Sequence, residues 1–251
     1  MKVRPLRTSD IADALGVHVN TIRLYELWGF LPAIPRDPNG YQHYSAAHLE
    51  QARLARLVLQ WPYLNDKALL LDLVKRAAVG DLGKAMELAY QYLARVRVER
   101  TFAEAAVEFL ERWAAGHLLD TRCELVTISE AAQQLNVTVD VLRNWERNGL
   151  IDVPRDPANH YRRYGTTEFG RLRVIQTLIQ ADYSQMAILQ MLRQVDTGNT
   201  ANLRAALDLP PDETAIYAIA DRWLSTLAEL EQRAQATIRQ LGLLIELACR
   251  R

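Results

Sequence analysis

Apolar positions near the start of the chain fall into two short helical registers divided by one turn. Ile11, Ala12 and Leu15 lie at i, i+1 and i+4, with Thr8 or Ser9 as N-cap and Gly16 as the stop. Val17, Ile22 and Tyr25 restart the register, which runs out at Gly29, a residue suited to left-handed backbone. The pattern predicts two helices joined by a tight turn. After Leu31-Pro32 the periodicity vanishes, because Pro35-Arg36-Asp37-Pro38-Asn39-Gly40 breaks helix and favours a hairpin tip. Tyr41 and Tyr44 straddle Gln42-His43 on the return strand, so a small wing is expected beside the second helix.

The same pattern returns later in the chain. Residues Asp10-Ile11-Ala12-Asp13-Ala14-Leu15-Gly16-Val17 align with Glu130-Ala131-Ala132-Gln133-Gln134-Leu135-Asn136-Val137, and Arg23, Glu26 and Gly29 align with Arg143, Glu146 and Gly149, an offset of 120. A one-residue gap brings Pro35-Arg36-Asp37-Pro38 onto Pro154-Arg155-Asp156-Pro157; the offset is restored at Tyr41/Tyr161 and Tyr44/Tyr164. Arg53, Gln60 and Tyr63 then meet Arg173, Gln180 and Tyr183. A repeat of this length means one structural unit used twice, with gaps confined to a loop. In the second unit Thr127 or Ser129 is the expected cap, Leu135 the last core residue and Asn136 the turn, with Thr138 opening a helix that ends at Gly149.

Two longer stripes follow the repeats. From Asp212 to Ala248 there is no proline, and Ile216, Ala220, Trp223, Leu227, Leu230, Ala234, Ile238, Leu241, Ile245 and Ala248 are spaced mostly four and three apart, a heptad seam. Ala89, Tyr92, Val96, Ala103, Ala106, Leu110 and Trp113 keep a similar register from Lys84, interrupted at Glu99. An ordinary bundle core would bury the same stripes. The expected fold is mainly α, with duplicated winged helix-turn-helix units carrying small β-hairpin wings, each followed by a helical pair and a long coiled-coil-type helix. Residues 1–75 and 120–195 form the winged units; 76–119 is the first long helical segment and linker, and 196–251 the second long helix, for pairing.

Composition narrows the function. With 49% hydrophobic and 24% charged residues the 251-residue chain is ordinary globular material, and 30 basic against 30 acidic side chains leave no overall field to attract a polyanion. Any nucleic-acid surface is therefore local. No apolar run is long enough to span a bilayer and no apolar signal core opens the chain, so no membrane association and a cytoplasmic location are expected. Cys123 and Cys249 are too few for a disulfide framework or a four-ligand zinc site. Phosphate-loop, dinucleotide, zinc-protease and nucleophile-elbow motifs are all missing from the sequence, which speaks against an enzyme.

A helix whose N-terminus enters the major groove presents its first two turns to base edges, and its dipole favours nearby phosphates. In the first unit His18, Asn20, Thr21 and Arg23 occupy that end, with Tyr25 on the same helix and Arg36, Tyr41, His43 and Tyr44 on the wing, where they can grip the backbone. Thr138, Arg143, Asn144, Trp145, Arg147, Arg155, Tyr161, Arg162, Arg163 and Tyr164 are their counterparts in the second unit. For Tyr25, Tyr44, Trp145 and Tyr164 two roles stay open, contact with DNA or packing of wing onto helices. Glu26 and Glu146 are expected to pair with an arginine inside the protein, since a carboxylate facing DNA is costly. Asp140, near the start of the second recognition helix, weakens that unit's attraction for phosphate.

These residues carry a resemblance. Ile22-Arg23-Leu24-Tyr25-Glu26, Gly29-Phe30-Leu31-Pro32, Arg36 and Gly40-Tyr41-Gln42-His43-Tyr44 are similar to the mercury-resistance regulator (MerR) family, as are Leu142-Arg143-Asn144-Trp145-Glu146, Gly149-Leu150-Ile151 and Tyr161-Arg162-Arg163-Tyr164. The resemblance implies a sequence-specific regulator that binds double-stranded promoter or operator DNA and distorts it for RNA polymerase. It also implies pairing of the long helices, either within one chain or between two chains of a homodimer. The family's paired aromatics are replaced here by Leu24-Tyr25 and Asn144-Trp145, and its metal-sensing cysteine group is missing; no metal or cofactor is expected. A second class of function is a protein-interaction or antagonist module that has lost DNA binding in one or both units.

Overall fold

The computed structural model describes residues 6–36, 42–60, 62, 64, 66–117, 124–208 and 223–249. Tyr41 of the first wing, Trp61 and Tyr63, Cys123, and Ile216 and Ala220 of the expected seam lie outside them. The described residues are mainly helical: α1 (Thr8–Leu15), α2 (Val19–Leu27), α3 (Ala46–Val58), α4 (Lys67–Ala78), α5 (Leu82–Ala114), α6 (Ile128–Leu135), α7 (Val139–Arg147), α8 (Thr166–Gln180), α9 (Gln185–Asp196), α10 (Leu203–Ala206) and α11 (Trp223–Cys249). They divide into two compact units, one of Met1–Val98 with Ala228–Arg251, the other of Glu99–Leu227.

In the first unit α1 and α2 are joined by Gly16, whose positive φ of 61° lets Val17 N–H reach Ala12 O at 3.0 Å. α1 starts at Thr8, earlier than a Thr8 or Ser9 cap would place it. Arg7 is the N-cap, because the Asp10 carboxylate accepts Arg7 N–H at 2.8 Å, which leaves the Thr8 hydroxyl directed to Gln42. Ile11, Ile22, Leu54, Leu73 and Val74 are fully buried beneath these helices. The Gln51 amide donates to Phe30 O and Val74 O at 3.0 and 3.1 Å, tying the loop after α2 and the α4 backbone to α3.

Both long helices contribute to that core. Ala85, Leu88, Ala89, Tyr92, Leu93 and Val96 of α5 join Leu230, Ala234, Leu241 and Leu244 of α11. Arg97 of α5 pairs with Glu231 of α11 at 2.9 Å. Arg233 also donates to the Gln60 and Pro62 carbonyls at 2.6 and 2.7 Å, and the Gln240 amide meets Glu50 O at 3.0 Å. The interruption foreseen at Glu99 does not break α5, which is continuous through it; the seam steps from Val96 to Ala103 where the compact units divide. Ala248, the last seam position, is exposed.

The second unit follows the same local rules. Thr127 caps α6 through a reciprocal pair with Glu130, the Thr127 N–H donating to the carboxylate at 2.7 Å. Asn136 takes the turn with φ 53°, as Gly16 does in the first unit. Leu142, Leu150, Phe169, Leu172, Ile175, Ile188 and Met191 are buried, together with Ala103, Ala106, Val107 and Leu110 of α5. Arg171 stands where Gln51 stands in the first unit and donates to Leu150 O at 2.7 Å, while Asp196 holds the other end of its guanidinium at 2.9 Å. Tyr183 donates to Ala103 O at 3.3 Å, and burial pushes its phenol well above the usual tyrosine range.

Candidate nucleic-acid interface

The recognition-helix candidates are α2 and α7. Each begins at a polar cap that satisfies a free backbone donor, with His18 Nδ1 accepting from Asn20 N–H at 3.2 Å and Thr138 Oγ1 accepting from Val141 N–H at 3.3 Å. Each ends where a glycine, Gly29 or Gly149, takes positive φ and the next amide reaches back, Phe30 to Tyr25 O and Leu150 to Trp145 O. Between these limits the buried positions are Ile22 and Tyr25 in α2, and Leu142 and Trp145 in α7. The opposite faces are polar and open: His18, Asn20 and Arg23 are exposed and Thr21 half-buried, while Thr138, Arg143 and Arg147 are exposed and Asn144 half-buried.

An arginine and a partner three residues earlier share each open face. Arg23 donates to Asn20 Oδ1 at 3.5 Å; Arg143 pairs with Asp140 Oδ1 at 3.3 Å. One atom separates the two arrangements, since Asp140 carries a charged oxygen where Asn20 carries a neutral amide. Asp140 is 87% exposed, so its charge projects from the same surface as Arg143.

Beside each helix the chain returns through isolated antiparallel bridges rather than extended strands. Leu6 pairs with Tyr44 and Arg36 with Gln42; Val126 pairs with Tyr164 and Arg155 with Arg162. One carboxylate anchors each return. Glu26 accepts from the Gln42 amide at 2.6 Å and from Arg36 at 3.4 Å, and Glu146 accepts from Arg162 Nε at 2.6 Å and from Arg155 at 3.5 Å. The internal Glu–Arg pairing expected from sequence is present in both. His43 is half-buried, and its N–H donates to Pro35 O at 2.9 Å.

The four aromatic candidates lie inward. Tyr25 is 6% exposed, Trp145 4%, Tyr44 2% and Tyr164 1%, so their rings support the helix and wing from beneath. Tyr44 donates to Gln42 Oε1 at 3.1 Å, whereas the Tyr164 hydroxyl is buried with no hydrogen-bond partner among the described residues. The repeat explains the difference. Arg162 replaces the acceptor-bearing Gln42, and Ile128 replaces Thr8, so both oxygens near the phenol are lost. Tyr161 is exposed on the second wing.

Sequence reasoning missed the part played by Asp156. Its carboxylate accepts from Ala158 N–H at 2.9 Å, an Asx turn at the wing tip, and pairs with Arg163 at 3.1 Å. The Asp-Pro step at 156–157 was the available signal. First the Ala158 N–H and then Arg163 hold the Asp156 carboxyl below the usual range, and the Thr127 N–H does the same for Glu130. A carboxyl whose folded value is depressed contributes stability above its unfolded value and loses it as pH falls through the folded one. The second unit should therefore weaken as pH drops below the ordinary carboxylate range. In acid titrations followed by circular dichroism, Asp156→Asn should flatten that limb; an unchanged limb would remove Asp156 from the account.

With this arrangement in view, the comparisons with known proteins are specific. Residues 126–195 match the family described as "MerR HTH family regulatory protein", and residues 7–44 match "MerR family regulatory protein". Each compact unit thus carries one segment that is similar to MerR-type regulators. It is similar to the mercuric resistance operon regulatory proteins of Serratia marcescens and Pseudomonas fluorescens, 30% identical to each over 78 residues, and to that of Shigella flexneri at 28%. Each match takes in 31% of this chain and 54% of the relative, so the chain spans about half the length of the curated relatives it matches. No solved structure matches.

Proposed function

We propose that the chain is a transcription regulator that binds double-stranded DNA in a sequence-specific manner through α2 and α7, with each wing against the adjacent backbone. The observation that carries this reading is the division of each unit into a buried aromatic side and an open polar side whose first turns bear Asn20 and Arg23, or Thr138 and Arg143. His18, Asn20, Thr21, Arg23 and Arg36 make the first surface with His43 and Tyr41; Thr138, Arg143, Asn144, Arg147, Arg155, Tyr161, Arg162 and Arg163 make the second. Tyr25, Tyr44, Trp145 and Tyr164 act beneath them as supports. Arg162 engages Glu146 through Nε alone, which leaves guanidinium N–H donors for phosphate.

Residues 1–75 and 120–195 serve as the two DNA-binding segments, and the long helices of 76–119 and 196–251 pair within the chain. The core shared by α5 and α11 in the first unit, with the Arg97–Glu231 pair, supports that pairing. One polypeptide then stands for what two copies supply in a two-fold dimer. It acts in the cytosol, at a promoter, by distorting DNA so that RNA polymerase engages it. No helix among the described residues is long and apolar enough to cross a membrane.

Fluorescence anisotropy with random-sequence 30-base-pair duplexes at several salt concentrations tests the electrostatic part. Binding should weaken steeply with salt, with a log–log slope corresponding to several phosphates. A protein that ignores every duplex at low ionic strength would defeat the proposal.

A further inference from the structure

The first unit carries an apolar cleft beside its candidate recognition helix. It is about 630 Å³, within the range of small-molecule sites, and lies between the end of α2 and the outer face of α4. Leu27, Trp28, Phe30, Leu70 and Leu71 make its apolar wall, and Lys67 and Lys75 stand at its edge. Leu27 is 77% and Trp28 51% exposed, a cost the fold does not require. Trp28 is held edge-on to Phe30, with ring centroids 5.8 Å apart.

The corresponding surface of the second unit is polar. Arg147 and Asn148 replace Leu27 and Trp28 at the offset of 120. α9 corresponds to α4, with buried Ile188, Met191 and Leu192 answering Leu70, Leu73 and Val74, so Gln185 takes the place of Lys67. The Asn148 amide donates to Gln185 Oε1 at 2.9 Å and to Asn144 Oδ1 at 3.0 Å, a polar strap where the first unit has its opening. Polar side chains thus occupy this position in the second unit, where the first unit presents Leu27 and Trp28.

The charges say what would fill it. Lys67, Leu71 and Lys75 lie four residues apart on one helix face, which sets the two lysine stems about 12 Å apart along the axis. Among the described residues neither ammonium has a hydrogen-bond or ion-pair partner. A pocket with an apolar floor, an aromatic wall and two unpaired cations at its rim suits an amphipathic anion. We propose that the cleft between α2 and α4 binds a small apolar carboxylate, its chain against Trp28 and Leu71 and its anion at Lys67 or Lys75. The site is independent of whether the chain binds DNA.

Decanoate is the probe, and decylamine, of equal chain length and opposite charge, is the comparison, both titrated calorimetrically below their micelle concentrations into the full chain without DNA. Decanoate should bind at least tenfold more tightly than decylamine. The double variant Trp28→Asn with Lys67→Gln, which copies the second unit's Asn148–Gln185 pair at exposed positions, should weaken decanoate at least tenfold while leaving the unfolding midpoint within a few degrees. Lys75→Gln should narrow the preference for the anion at least threefold. No binding by decanoate, equal binding by the amine, or full binding by the double variant would each overturn the assignment.

Discussion

Glu146→Ala should destabilise the protein by about 1–3 kcal/mol, seen as a lower denaturation midpoint with unchanged slope. Glu146 holds two arginines, and Arg162 is only 28% exposed, so removing the carboxylate leaves a partly desolvated guanidinium on the wing without its partner. Glu26→Ala removes the equivalent carboxylate but should cost less, about 1 kcal/mol, because its nearer partner is the neutral Gln42 amide and Arg36 is open to water. The order of the two effects is the sharp part. Equal losses would mean that the charge on Arg162 is solvated and that the pair is ornamental.

The second large effect is on DNA. Arg143→Ala should weaken duplex binding about tenfold at low salt and flatten the log–log salt slope by about one. Asp140→Asn should move both quantities the other way, since it restores the neutral partner that Asn20 offers Arg23 and removes an exposed negative charge from the same surface. Neither change touches the core, and stability should stay within about 0.5 kcal/mol. If Arg143→Ala leaves affinity and salt slope unaltered, the open face of α7 does not meet DNA.

The two substitutions also read out how the family pattern is divided between the halves. Position 20 or 140 sets the charge beside the helix arginine, and position 42 or 162 sets whether the wing is tied by an amide or by a cation. In the first unit Gln42 bridges Glu26 and Tyr44, so the Tyr44 phenol is paired. The second unit gains a charged tie to Glu146 and loses the phenol's acceptor. A stronger wing anchor and a more acidic helix tip thus occur in the same unit, so its affinity and its stability need not move together.

Much of the helical layout was legible because it depends on local rules. Gly16, Asn136, Gly29 and Gly149 all take the positive φ expected of them, and Thr127 and Thr138 cap the helices they precede. Arg7 was missed as the first cap since its role comes from Asp10 reaching back, which the identity of residue 7 does not reveal. The stripe from Ala89 to Leu110 is buried as its spacing indicates, yet the two sides of Glu99 serve different compact units, a division that depends on tertiary packing and not on periodicity. At the candidate interface, exposure of Arg23, Arg143 and Arg147 follows from helical phase. The inward turn of Tyr44 and Tyr164 and the clamp of Asp156 on Arg163 could not be read the same way, because a hairpin return a few residues long has too little periodicity to fix which side faces in.

The most direct test of the central claim is selection of bound sequences from a random duplex pool by the intact chain, repeated with Arg23→Ala and with Arg143→Ala. Two recognition surfaces on one polypeptide predict an enriched site made of two half-sites at fixed spacing, with each variant losing information in one half only. Recovery of a single half-site that both variants leave intact, or of no enriched sequence at all, would contradict it.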